Sequence, residues 1–249
     1  MPRREARDST SVTIALIFAG GDGIRMGADI PKQYLMLGDR PVLAHTLCLY
    51  AGHSSVDGIY LVVSPIWENA ARKMVSEYAI GKIRGFVHGG ETAQDSIYKG
   101  LAFIARHEPK DTIVLVHDGA RPYVTPDVIS ANIDSVRRFG SAITYTPCFE
   151  TVVLSHDGKS IDGIPVREDS YVAQAPQSFR LGDILAAHEK VRASVTGYRG
   201  LVDQATLCHS LGIGVHLVPG CRGNIKVTTP EDLVTLRALI EWRRGLGHG

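Results

Sequence analysis

The chain has 249 residues, 44% of them apolar and 21% charged, with 27 Lys and Arg against 26 Asp and Glu for a net charge of +1. That length is enough for one α/β domain with a full core, and the near-zero charge excludes bulk attraction to nucleic acid or a membrane surface, so any anion site must be local. No apolar run approaches the roughly 18 residues that span a bilayer. Cys48, Cys148, Cys208 and Cys221 are scattered without a C-x-x-C pair, which argues against zinc and disulfide scaffolds and fits a reducing, cytoplasmic setting.

Residues 1–10 read as a frayed polar tail. Arg3, Arg4 and Arg7 ahead of the apolar run 12–19 resemble the first two regions of a signal peptide. The run is short, however, and leads into glycines, Asp22 and Arg25 with no cleavage site, so it is read as a buried first strand. It ends in IFAGGDGIRMGADIPKQYL, residues 17–35. This is neither of the two common phosphate loops, since Gly21-x-Gly23 reaches Gly27 with one residue too many and Lys32 follows a proline. Gly20, Gly21 and Gly23 let the backbone turn and present N–H groups to an anion. Arg25 adds a planar fork, and Pro31 fixes the chain beside Lys32. Two cations in eight residues suit a polyphosphate better than one carboxylate; the alternative is an ordinary turn with solvated basic residues.

Further apolar runs at 58–63, 83–87, 112–117 and 141–146 read as strands buried on both faces. Helical patterns lie between them at 42–50, 67–78, 93–106 and 127–139, the third with a stripe of Ile97, Leu101 and Ile104. Such alternation predicts a Rossmann-like α/β fold: right-handed βαβ units, a mostly parallel sheet, and helices on both faces. Ligands then sit beyond the carboxyl ends of the strands. The glycine loop is at such an end, as are Gly89-Gly90-Glu91, with Ser96 in the next helix, and His117-Asp118-Gly119-Ala120-Arg121-Pro122. The first group either cradles a sugar or base edge or is an ordinary helix start. Asp118 either holds Mg²⁺ or a substrate hydroxyl or caps its own turn, and Arg121 either pairs with phosphate or anchors that turn. His117 reads as structural. No Ser-His-Asp ordering points to nucleophilic catalysis.

Residues 148–173 break the alternation. Two short strands around a His156-Asp157-Gly158 turn form a protruding hairpin arm within a single 249-residue domain. An arm of this kind has no parent sheet to bury it, which predicts a homodimer. Thr151 and Arg167 lie on its opposite limbs, Arg167 as a second phosphate binder or both as a solvated face. Helices at 181–192 and 203–211 and a strand at 214–218 follow. Lys226 is then placed in a short strand, and a last helix with Thr229 as cap and Pro230 in its first turn runs to about residue 244.

Taken in order, AGGDGIRM, PKQYL, GG-x(5)-S, VHDGARP, PVRED…QAPQSF and NIKVTTPEDL resemble the cytidylyltransferases that activate small polyol phosphates. The resemblance covers residues 17–233. It implies that Ala19, Gly20, Gly21 and Gly23 hold CTP, with Gly90, Glu91 and Ser96 at the cytidine. It makes Arg25, Lys32 and Lys226 the catalytic cations. Asp118 would meet Mg²⁺ or a substrate hydroxyl, beside Arg121, while Thr151 and Arg167 would grip the polyol phosphate from a neighbouring subunit. Three positions depart from the family pattern: Ala93 where an arginine is usual, Ala175 in place of the threonine of T-P-Q, and Val202 in place of the threonine before Asp203. The AGG sequence and the Y-x-x-Q-x-P-Q-S-F spacing favour the ribitol 5-phosphate branch over the 2-C-methyl-D-erythritol 4-phosphate branch. A catalytically silent CTP-binding or scaffold protein is the third alternative.

Overall fold

The computed structural model describes residues 11–20 and 30–245. Gly21, Gly23 and Arg25, three of the expected loop residues, lie outside the described residues. Among the described residues the main sheet has seven strands in the order β5-β4-β1-β6-β8-β7-β9. Its first four are β1 (Thr13–Ala19), β4 (Gly58–Val63), β5 (Ile83–His88) and β6 (Ile113–Asp118), all running parallel. Strand β8 (Tyr171–Arg180) runs against both β6 and β7 (Ser141–Pro147), while β9 (Leu217–Pro219) pairs parallel to β7. A two-stranded ribbon of β2 (Met36–Leu37) and β3 (Arg40–Pro41) stands apart.

The run that resembled a signal peptide is an interior strand of this sheet, between β4 and β6. Its side chains alternate between two cores, as the pleat requires. Ala15, Ile17 and Ala19 meet α1 (Val42–Gly52), α2 (Glu68–Glu77) and α4 (Pro126–Phe139). Ile14 and Leu16 meet α3 (Ala93–Ile104), α5 (Leu181–Arg192) and α6 (Gln204–Ser210) on the other face. Local chemistry sets the helix ends. Thr92 accepts the Asp95 N–H to start α3, and Thr125 with Pro126 starts α4, which Gly140 closes in the left-handed region at φ 85°. Helix α7 (Pro230–Gly245) lies against the β2–β3 ribbon, where Arg244 pairs with Asp39 at 2.9 Å.

Several expectations are corrected. Strand β5 is an edge strand with Arg84 and His88 exposed, so it is not buried on both faces. The expected strand at 214–218 is the shorter β9. The hairpin of the arm is reduced to one antiparallel bridge, Leu154 with Gly163. Apart from a 3-10 turn at Arg167–Asp169, the rest of residues 149–170 is irregular, and the segment is mostly exposed, because no neighbouring strand satisfies its backbone. Lys226 lies in extended chain outside any strand. The first turn of α7 is closed by Asp232, whose carboxylate accepts the N–H groups of Thr228 and Thr229, both at 2.7 Å. Strand β8, which the sequence does not announce, fills the gap between β6 and β7.

Candidate active site

The carboxyl ends of β1, β5 and β6 converge on one side of the sheet. Ala19 ends β1 and Gly20 follows it, while Gly89 and Gly90 follow β5. Ser96, on the first turn of α3, stands between these corners. Its Oγ accepts the Gly90 N–H at 3.0 Å, and a Cβ placed on Gly89 or Gly20 would lie 2.9 or 3.6 Å from that oxygen. The three backbones approach so closely because the glycines carry no side chain. Ser96 is thus brought to the expected glycines, buried and braced on the loop, while Glu91 is exposed.

Lys32 enters from a 3-10 turn, Lys32–Tyr34, that begins after Pro31. The next residue, Gln33, is buried and donates from Nε2 to the Ala19 carbonyl at 2.6 Å. Tyr34 stacks on Trp67 with ring centroids 5.1 Å apart. Burial pushes the Tyr34 hydroxyl up to about 12, so it stays protonated. These contacts tie the lysine-bearing segment to the end of β1. The next strand in the sheet, β6, carries Asp118 in register with Phe18 of β1.

Asp118 and Lys226 form an ion pair, Nζ to Oδ2 2.6 Å, with side chains 15% and 38% exposed. Lys226 is delivered by backbone ties. The Val227 N–H bonds the Ala120 carbonyl at 2.9 Å, and Arg121 Nη1 donates to the Asn224 carbonyl at 2.6 Å. Arg121 thus anchors the lysine-bearing segment to the turn after β6, while its side chain also lines the cleft. Burial lowers the Arg121 guanidinium from its ordinary value, and the Asp118 charge partly offsets this. His117 is fully buried beneath the pair, with Nε2 3.1 Å from the Arg121 carbonyl. Burial holds it down to about 4, which leaves a neutral, structural imidazole.

One cleft joins Asp118, Arg121 and Lys226 to the three departures from the family pattern, Ala93, Ala175 and Val202. Its far wall comes from β8 and α6, and sequence reasoning missed most of it. Between Ile143–Gln177 and Tyr145–Ala173 the β7–β8 register shifts, and the resulting bulge turns Gln174 and Ala175 toward the cleft. Asn224 Nδ2 holds the Ala175 carbonyl at 2.6 Å, linking this bulge to the lysine-bearing segment. Asn224 lay within the NIKVTTPEDL motif, but only its burial of 1% exposure marks it as a hub. Thr151 and Arg167 are exposed on the arm, and Arg167 is paired with Glu168 at 3.9 Å. Among the described residues neither is brought to the cleft of its own chain.

The family model of 2-C-methyl-D-erythritol 4-phosphate cytidylyltransferase, IspD, matches residues 13–241. A ribitol-5-phosphate cytidylyltransferase of Vibrio parahaemolyticus is 38% identical over 94% of this chain and 98% of its own. A 2-C-methyl-D-erythritol 4-phosphate cytidylyltransferase of Syntrophotalea carbinolica is 41% identical over 91% and 95%. Among solved structures, 4-diphosphocytidyl-2C-methyl-D-erythritol synthase from Anaerococcus prevotii superposes with a TM-score of 0.79 at 30% identity, covering 93% of this chain and 96% of that one.

Proposed function

The chain belongs to the IspD family of cytidylyltransferases, and on that premise we propose that it transfers CMP from CTP to ribitol 5-phosphate, giving CDP-ribitol and pyrophosphate. The observation that carries this reading is the Asp118–Lys226 pair at 2.6 Å, set in a cleft beyond the carboxyl ends of β1 and β6. The ribitol-5-phosphate cytidylyltransferase of Vibrio parahaemolyticus supports the acceptor.

The chemistry asks little of an acid or base. A phosphate monoester has a second pKa near about 6 and is mostly a dianion at neutral pH. It attacks the α-phosphorus of CTP with no proton to remove first, and pyrophosphate departs on the opposite side. The obstacle is the meeting of two polyanions, which fixed cations relieve. Lys226, Lys32 and Arg25 would take that role, with Lys226 held toward the acceptor by Asp118. The glycines near Ser96 would cradle the nucleotide.

Mg²⁺ fits this site as a substrate-borne ion. Among the described residues no group of three or more His, Cys, Asp or Glu side chains could cage a metal. Mg²⁺ commonly uses one or two carboxylates together with water and substrate phosphates, and Asp118 would be that carboxylate. Bound there, the ion would neutralise phosphate oxygens.

The arm supports a homodimer. Phe149, Val153, Leu154, Ile161, Ile164 and Val166 are each at least 49% exposed on it, an apolar face that a second copy would cover. The same docking would carry Thr151 and Arg167 to the partner's cleft. The cysteines are free, and no described helix is long and apolar enough to cross a membrane, which together support a cytoplasmic setting.

A second acceptor, 2-C-methyl-D-erythritol 4-phosphate, is favoured by the Syntrophotalea carbinolica relative and by the Anaerococcus prevotii structure. Pyrophosphate release from CTP and Mg²⁺, with each polyol phosphate in parallel, decides between them. Ribitol 5-phosphate should give the higher kcat/KM. CTP binding with no pyrophosphate released from either acceptor would identify a silent binding protein instead.

A further inference from the structure

Beneath the cleft lies a line of buried polar side chains that the transfer chemistry leaves unused. Gln94 Nε2 donates to the Leu201 carbonyl at 3.4 Å, and Gln204 Nε2 donates to Gln94 Oε1 at 3.0 Å. Gln204 Oε1 lies 2.7 Å from His188 Nε2, and the Tyr198 hydroxyl lies 2.6 Å from His188 Nδ1. Gln94, Gln204 and His188 are 3%, 1% and 0% exposed.

The far end of this line dictates every step in it. A backbone carbonyl only accepts, so Gln94 must turn its amide nitrogen to Leu201 and its oxygen to Gln204. Gln204 must then turn its nitrogen to Gln94 and its oxygen to His188. The imidazole proton is therefore on Nε2, and Nδ1 accepts from Tyr198. Burial also holds His188 down to about 4, so the neutral form that this pattern needs is the one present.

The line joins two walls of the cleft. Ala93 and Ile97 flank Gln94 on α3, while Val202, Asp203 and Gln204 form the opposite edge. Gln177 locks that edge from the other side: its Oε1 accepts the Gln204 N–H at 2.8 Å, and its Nε2 donates to Asp203 Oδ2 at 2.9 Å. We infer that His188, oriented by Tyr198, is a positioning residue for acceptor binding: as an Nε2–H donor it fixes the Gln204 amide and so the gap between the α3 and α6 walls. The inference rests on the proposed transfer to a polyol phosphate held in this cleft. A packing role would need only a ring of the right size, whereas positioning needs a donor at Nε2 and an acceptor at Nδ1.

The test compares wild type with His188→Phe, His188→Gln and Tyr198→Phe in steady-state assays with CTP and ribitol 5-phosphate. Loss of a buried hydrogen bond predicts an acceptor KM raised about tenfold in His188→Phe and Tyr198→Phe, with kcat and the CTP KM within about twofold of wild type. His188→Gln, which keeps one donor and one acceptor, should recover most of the loss. Imidazole ¹⁵N shifts of the wild type should report the Nε2–H tautomer. Tyr198→Phe removes one hydroxyl and keeps the ring, so it gives a readout even where His188→Phe fails to fold. Variants whose two KM values stay at wild type or rise together, or a wild-type imidazole protonated on Nδ1, overturn the inference alone. A wild type that turns over neither polyol phosphate overturns the functional reading, and the inference with it, before any variant is made.

Discussion

Lys226 and Lys32 reach the site from segments far apart in sequence, and each segment is tied to the end of a sheet strand or the turn after it. The Val227 N–H on the Ala120 carbonyl fixes one, and Gln33 Nε2 on the Ala19 carbonyl fixes the other. Because Lys226 is 38% exposed, its ion pair adds about 0–1 kcal/mol to folding. On the proposed transfer its value would lie in the transition state, where one preorganised donor at a developing charge is worth on the order of 3 kcal/mol. Lys226→Met and Lys32→Ala should therefore melt near wild type yet lose turnover by about two orders of magnitude. Wild-type turnover in either variant would remove that lysine from the mechanism. The two fully buried histidines matter for stability instead. His117 and His188 are each lowered from 6.5 to about 4, so below 6.5 the unfolded chain binds protons that the folded one refuses. Stability is then fully present above 6.5 and falls as pH drops toward 4, by up to about 3 kcal/mol per histidine. Urea midpoints measured from pH 7 to 4.5 should decline, and Tyr198→Phe should alter that decline, whereas a flat profile would contradict the buried neutral assignment.

At the level of elements, the position of α3 depends on Gly100. A Cβ there would lie 2.6 Å from Leu16 Cδ1 and 2.9 Å from Val62 Cγ2, both on fully buried side chains of central strands. Gly100→Ala gains about 1 kcal/mol of helix propensity but forces this contact apart, and overpacking costs typically 1–3 kcal/mol. The helix would move outward, carrying Ala93 and Gln94 away from the cleft. Urea denaturation should show net destabilisation, and the acceptor KM should rise with it. A variant as stable and active as wild type would show that the contact yields freely. The elements differ in how plainly they were written. Strands β1, β4 and β6 stand out because both their faces are buried, giving unbroken apolar runs that end at Gly20 and Asp118. Strand β8 is hidden because its buried positions include the polar Gln174, Gln177 and Ser178, satisfied by partners distant in sequence such as Cys221, Asp203 and Asn132. Its Pro176 also argues against a central strand. That proline is tolerated because pairing with β6 stops at Gln177 and the β7 register shifts beside it. The half of the cleft that carries Asp118 was therefore legible from a motif at a strand end, while the half built by β8 and α6 depended on contacts between residues that no local pattern connects.

For the molecule as a whole, the arm is the feature that a single chain leaves unfinished. It exposes Ile161, Ile164 and Val166 at 60–63%, and it holds Thr151 and Arg167 where they make no described contact with their own cleft. Burying that surface against a second copy would use the hydrophobic effect to stabilise the pair and deliver Arg167 across the interface. This arrangement predicts complementation between two inactive proteins. In such a dimer Lys226→Met would damage its own cleft, whereas Arg167→Ala would damage the cleft of its partner. A mixed dimer of the two then has one doubly defective site and one intact site. With random exchange half the dimers are mixed, so an equimolar mixture should recover about a quarter of wild-type activity from two nearly silent parents. Ile164→Glu should abolish the recovery and shift the mass in solution to the monomer, because it would place a charge in the face that the second copy covers. An arm that served its own chain, or served no cleft, would leave the mixture as silent as its parents, and a fully active monomer would remove the shared site altogether.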